Sequence, residues 1–252
     1  MRSPTVIAIR RCSAPSKLVP GSAENQWFPT ALLKADARVP LFRHHPWFPR
    51  PPRRMMSSIP ATWDAWNVAD VSIVVHKWID QYIIGLDLCP FAKPARKATT
   101  ILVSKASNAG ECMSELLEEA VVLAKAADSK PVTSLLVIPP ELAGDFPNFM
   151  EQLFQPAEDV IHDAGLSADI HLVPFHPLSE YEEDCSDYAL RSPFPTIHIL
   201  RKCDIETAQE KWEGQGKQLV DIPEGNAAML QGLGLHALED IMRDIKGAAG
   251  PS

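Results

Sequence analysis

The chain lacks most of the motifs that identify a reaction at sight. It has no P-loop, no dinucleotide fingerprint, no G-x-S-x-G elbow and no H-E-x-x-H pair, which removes the commonest nucleotide-binding, hydrolase and zinc-protease readings. Gly214-Gln215-Gly216 lacks the preceding strand and the spacing of a phosphate loop and reads as a turn. No run approaches the ~20 apolar residues of a membrane helix, so no membrane span and a soluble protein are expected. The five cysteines, at 12, 89, 112, 185 and 203, form no C-x-x-C pair and no zinc-like spacing. An odd count without a secretory signal predicts reduced thiols in an intracellular compartment. No internal repeat is present.

Acid is missing from one end. Residues 1–60 hold ten Lys and Arg against Glu24 and Asp36, a net +8, together with ten prolines and little periodicity. The formal charge of the whole chain is −8, so the remaining residues carry −16. A basic, acid-free, serine-containing opening (MRSPTVIAIRRCSAPSKL) fits a transit peptide to a mitochondrion or plastid. The alternative is a disordered extension. Translation starting at Met55 or Met56 would leave the product cytoplasmic. An acidic body is a poor general binder of nucleic acid, whose phosphates demand positive charge.

What is there begins near residue 61 and reads as one α/β domain over 61–252. Val71, Val74, Val75, Trp78, Ile79, Tyr82 and Ile83 keep helical spacing, with Asn67 or Asp70 as cap and Gly85 at the end. Strands are predicted over 99–104, 134–138, 170–173 and 196–200, and helices over 111–127, 145–164, from 204 to about 212, and from Pro223 onward. Gly232 and Gly234 interrupt the last helix. The continuous apolar run SLLVI predicts a strand buried on both faces. The alternation predicts a small, mostly parallel sheet of about four strands flanked by helices, with strands two and three paired in parallel.

Reactive side chains concentrate between Ile170 and Arg201. Long loops beyond strand ends are where α/β sites gather. His176 sits in Phe175-His176-Pro177, as a candidate acid–base group or a hydrogen-bonded structural histidine. The run from Glu180 to Asp184, with Asp187 behind it, reads as a solvated face. Arg191-Ser192-Pro193-Phe194-Pro195 fixes an arginine and a hydroxyl between prolines. Such an arginine suits bidentate capture of a carboxylate or phosphate, or pairing with a nearby acid. His198 lies on the strand face opposite Ile197 and Ile199, with Arg201 at the strand's end. Cys89, in Leu88-Cys89-Pro90-Phe91, is a nucleophile, a soft metal ligand or a core filler.

These segments together resemble a known family. Ile84-Gly85-Leu86-Asp87-Leu88-Cys89-Pro90-Phe91-Ala92, Phe175-His176-Pro177, Arg191 through Arg201, and Ile222-Pro223-Glu224-Gly225-Asn226 occur in that order. They are similar to the domain of unknown function 1415 family over roughly residues 66–235. The resemblance implies that Cys89, His176, Arg191, Ser192, His198 and Arg201 sit at the family's motif positions. It implies no reaction. Leu190 stands where relatives usually carry asparagine, and Gly225 where they usually carry arginine.

Three functions follow as expectations. The first is an enzyme acting on a small anionic metabolite. Arg191, Ser192 and Arg201 would bind the substrate, His176 or His198 would move a proton, and Cys89 would act as nucleophile. The second is a metal- or haem-binding protein using Cys89, His176 and His198. The third is a non-catalytic interaction module whose arginines lock the long loop to its acidic run.

Overall fold

The first described element is the predicted amphipathic helix. The computed structural model describes residues 67–127, 130–182, 184–218 and 221–247. The basic segment 1–60, with its targeting reading and Met55-Met56, lies outside them. Helix α1 (Val68–Lys77) is capped by Asn67, whose side chain accepts the Asp70 N–H at 2.9 Å. It continues as a π-helical stretch, Trp78–Ile84. All seven residues of the predicted apolar stripe are buried. Gly85 follows, and a Cβ there would collide with the Gln81 carbonyl, so the close approach requires glycine.

A short helix α2 (Ala92–Ala95) leads to strand β1 (Thr99–Val103). Helix α3 (Ala109–Ala124) starts on an Asn108 cap, which accepts the Glu111 N–H at 3.0 Å. Strand β2 (Thr133–Val137) is buried at every position, as a continuous apolar run requires. Short α4 (Pro140–Ala143) and α5 (Phe146–Phe149) follow, then a π-helical turn (Met150–Phe154) and α6 (Gln155–Asp163). Pro156, which has no N–H to donate, sits in the first turn after the π-helical segment, where that loss is tolerated.

Strand β3 (Ile170–Phe175) leads through the long loop and a 3₁₀ turn (Cys185–Leu190) to β4 (Thr196–Arg201). Helices α7 (Lys202–Glu213), α8 (Asp221–Leu233) and α9 (Leu235–Lys246) complete the chain. Gly234, at φ 77°, separates the last two, so the predicted final helix is split there.

The four strands stand in the order β1-β2-β4-β3. β1 and β2 pair in parallel, whereas β4 pairs antiparallel with both β2 and β3. The sheet is therefore mixed, which corrects the mostly parallel expectation. β2 and β3 do run the same way, but β4 lies between them. The physical reason is the connection: no helical crossover separates β3 from β4, so the chain turns back and inserts as an antiparallel strand.

Helices α3, α5 and α6 cover one face around Leu136, Leu172, Ile197 and Ile199. α1 with its π-helical extension, α8 and α9 cover the other around Leu135, Val137, Tyr188 and Phe194. The ends of β1, β2 and β3 open on the same side, and the loop 176–195 lies there.

Candidate functional site

The two proline-framed ends of the long loop are tied together by their own backbone. The His176 N–H donates to the Leu190 carbonyl at 3.2 Å, and the Ser179 hydroxyl donates to the same carbonyl at 3.0 Å. Arg191 returns the contact, its Nε donating to the Ser179 carbonyl at 3.1 Å. Asp187 is buried and accepts the N–H groups of Tyr181 and Glu182 at 2.9 and 3.0 Å. Asp184 caps the 3₁₀ turn. Glu180, Glu182 and Asp184 are exposed, so the acidic run presents its charges to water while Asp187 anchors it from inside. Ser192 is buried and donates to the Phe194 carbonyl at 2.6 Å, closing the turn between the prolines.

Arg191 is held flat. Its Cζ lies 4.1 Å from the centroid of the buried Tyr188 ring, and the Tyr82 hydroxyl donates to the Tyr188 carbonyl at 3.0 Å from below. Stacking and the Ser179 contact fix the guanidinium plane. Among the described residues no carboxylate forms an ion pair with it.

A second cation lies within electrostatic reach of Arg191. Lys246, the last residue of α9, is half-buried and makes no hydrogen bond or ion pair with the described residues. Burial, then repulsion from Arg191, holds its amine below the usual lysine range. Burial raises the Tyr188 phenol while Arg191 opposes the rise, and Glu239 acts on Tyr188 without pairing with either cation. Two half-buried positive charges with no ion-pair partner among the described residues are unfavourable on their own. An anion placed between them would relieve both.

The other expected site residues have different surroundings. His176 is buried, stacked on Phe149 at 5.2 Å between ring centroids and tilted against Phe146. Its Nδ1 accepts the Leu178 N–H at 3.1 Å, so the proton of the neutral ring is on Nε2. That Nε2 is enclosed and has no hydrogen-bond partner of ordinary length. Burial lowers the ring to about 4, with the Gly144 carbonyl working against the fall.

His198 faces the opposite side of the sheet, flanked in register by Leu135 and Val173. Thr133 donates to the Ile199 carbonyl at 3.0 Å and so accepts from His198 Nε2 at 2.5 Å, which fixes that tautomer too. Burial, and then the neighbouring His171, lower His198 to about 3. Cys89 packs against the same apolar cluster as Tyr188. Burial pushes its thiol up. The polar groups acting on it are the Phe91 and Ala92 N–H groups and Asp87, with no imidazole or guanidinium among them. Thiolate activation needs the opposite environment.

Arg201 is almost fully buried and its fork is committed. Nε and Nη2 meet Asp204 at 2.7 and 2.8 Å, while Nη1 and Nη2 also donate to the Ala126 and Lys130 carbonyls at 2.9 and 3.0 Å. It closes the chain just beyond α3, as a cation at a helix C-terminus does. The structure thus brings Arg191, Ser192 and His176 to one loop. It places His198 mid-sheet, Arg201 at the far end of β4 and Cys89 apart from both histidines.

A family model described as a protein of unknown function (DUF1415) matches residues 70–240, well over half of the chain. The chain belongs to this family. No curated protein and no solved structure matches. The DUF1415 match covers Cys89, His176, Arg191, Ser192, His198 and Arg201, together with Tyr82, Ser179 and Tyr188. It ends before Lys246. Lys246, Tyr188 and Tyr82 escape a reading by motif because each lies on a helix or turn where an apolar contact explains it. Only the fold brings Lys246, at the end of α9, within electrostatic reach of Arg191. The usable signal is a lysine directly after the buried Ile245 of an amphipathic helix.

Proposed function

We propose that this chain binds a small anionic metabolite, a carboxylate or a phosphate, between Arg191 and Lys246. The observation that carries the reading is the pair itself: two half-buried cations within electrostatic reach of each other, neither with an ion-pair partner among the described residues. Arg191 presents a planar fork whose orientation is set before ligand arrives, by Tyr188 and the Ser179 carbonyl. Lys246 adds a second charge from a different element. The locked-loop alternative has less support, because Arg191 ties the loop through a carbonyl and not through the acidic run. The metal or haem alternative has less again. His176 and His198 project to opposite faces of the sheet, and the described residues hold no cluster of ligating side chains that fits a metal ion. Delivery to a mitochondrion or plastid belongs to the same reading and rests on the basic 1–60 segment. A fluorescent fusion of that segment tests it.

The test of the anion reading is a thermal-shift titration with phosphate and with oxalate. Ligand at tenfold over Kd stabilises by about 1.4 kcal/mol, a Tm rise of roughly 3–6 °C for a protein of this size. The rise is expected in the wild type and is lost in Arg191→Ala. Arg191→Lys, which keeps charge but not the fork, recovers only a fraction of it. Equal shifts in all three proteins would overturn the reading.

A further inference from the structure

The outer strand β1 leaves one edge of the sheet unpaired among the described residues. Its residues are part-buried or exposed, whereas β2 is buried throughout. The Ser104 N–H turns inward to the Val137 carbonyl at 2.9 Å. Backbone groups alternate in direction along a strand, so those of Ile101 and Val103 turn outward. The next outward amide, that of Lys105, donates to Glu115 Oε1 at 3.2 Å. Thr99–Val103 holds neither a charge nor a proline, the usual guards of an open edge.

A groove of about 330 Å³ runs beside this edge, between Leu102 and the outer stripe of α3. Glu115, Glu118, Glu119 and Val122 form that stripe at helical spacing. Val122 is 60% exposed. None of the three acids forms an ion pair among the described residues. Glu119 is fixed by the Ser134 hydroxyl, which donates to its Oε1 at 2.5 Å, and Glu115 by the Lys105 amide. The second oxygen of Glu115 is enclosed and has no hydrogen-bond partner among the described residues. An enclosed carboxylate oxygen without a donor is costly, and an arriving N–H relieves it.

We propose that this edge takes up an extended basic segment of a partner protein as a fifth strand. The segment's backbone pairs with the outward groups of Ile101 and Val103, and alternate side chains turn toward α3. There the stems of lysines or arginines lie along Leu102 and Val122 while their heads meet the three acids. A second copy of this chain fits worse. Antiparallel pairing of two β1 strands about a two-fold axis sets the two acidic stripes side by side, and like charges so placed repel. Neither Arg191 nor Lys246 lines the groove, so this surface and the anion site stand or fall separately.

The experiment is amide hydrogen exchange of the full chain, read by mass spectrometry, with a synthetic peptide alternating valine and lysine as the probe. The peptide is expected to slow exchange across 99–105 several-fold and to leave the inner strand 196–201 unchanged. An alternating valine–glutamate peptide should give no protection. Nor should the valine–lysine peptide N-methylated at every amide, which keeps the charge and cannot form a ladder. Glu118 is exposed, so Glu118→Lys should fold normally and weaken binding of the labelled peptide tenfold or more by fluorescence anisotropy. No slowing at 99–105 with millimolar peptide, equal protection by the N-methylated peptide, or unchanged binding in Glu118→Lys overturns the proposal. A dimer in sedimentation whose 99–105 amides are protected without peptide gives the edge to a second copy and overturns it as well.

Discussion

Arg191 and Arg201 carry the same fork within one segment, and their surroundings give them different tasks. Arg201 spends its donors on Asp204 and on the carbonyls after α3. Arg201→Ala leaves Asp204 part-buried and those carbonyls unpaired, so a loss on the order of 3–5 kcal/mol is expected in urea or thermal unfolding. Anion binding by the folded fraction should survive it. Lys246→Met makes the opposite prediction. It removes a repelled, half-buried charge, so stability in anion-free buffer stays level or rises while the anion-induced shift falls, as happens when a binding group is held at a cost. A motif reading assigns both arginines to ligand because it sees donors and prolines. The difference between them is set by partners far away in sequence, Ala126 and Lys130 for one, and for the other by the absence of an ion-pairing acid among the described residues.

The histidines act at the scale of the sheet elements that hold them. His176 at the end of β3 and His198 within β4 have folded values of about 4 and about 3, below the ordinary 6.5. His171 on β3 is likewise lowered to about 4 by burial, then Lys202. Between each folded value and 6.5 the unfolded chain binds the extra proton, so stability rises with pH across that window. The contribution is complete above pH 6.5 and is lost as pH falls through 4. For the fully buried His176 the loss amounts to roughly 3 kcal/mol. Unfolding measured from pH 7 to pH 4 should show that slope. His176→Asn, which can still accept from Leu178, should flatten part of it; an unchanged slope would contradict the assignment.

Helix and strand positions were legible because their apolar spacings are local: the α1 stripe and the TSLLV strand behave as their periods require. Strand order was not legible, since nothing in Thr196–Arg201 itself says that it inserts between β2 and β3. The same gap hid Lys246 from the site.

Across the whole molecule the charge runs against the proposed anion binding. Outside residues 1–60 the chain carries −16, so its long-range field repels the ligand. On the proposed reading, affinity would come at contact range from Arg191 and Lys246, where part-burial raises the value of each charge. The fold makes such a contact rigid. β2 and β4 are the inner strands of the sheet, with helices on both faces. Their amides should show the slowest hydrogen exchange, with the edge strands β1 and β3 faster. The loop carrying Arg191 runs straight into β4 and is tied to the end of β2, where the Pro195 carbonyl accepts the Ile138 N–H at 2.8 Å. The most direct measurement is a calorimetric titration of the full chain with oxalate, run beside Arg191→Ala and Arg201→Ala. One saturable site, weakened by added salt, abolished in Arg191→Ala and kept by the folded Arg201→Ala, is the predicted result. Binding that is absent from the wild type, or unchanged in Arg191→Ala, would contradict it.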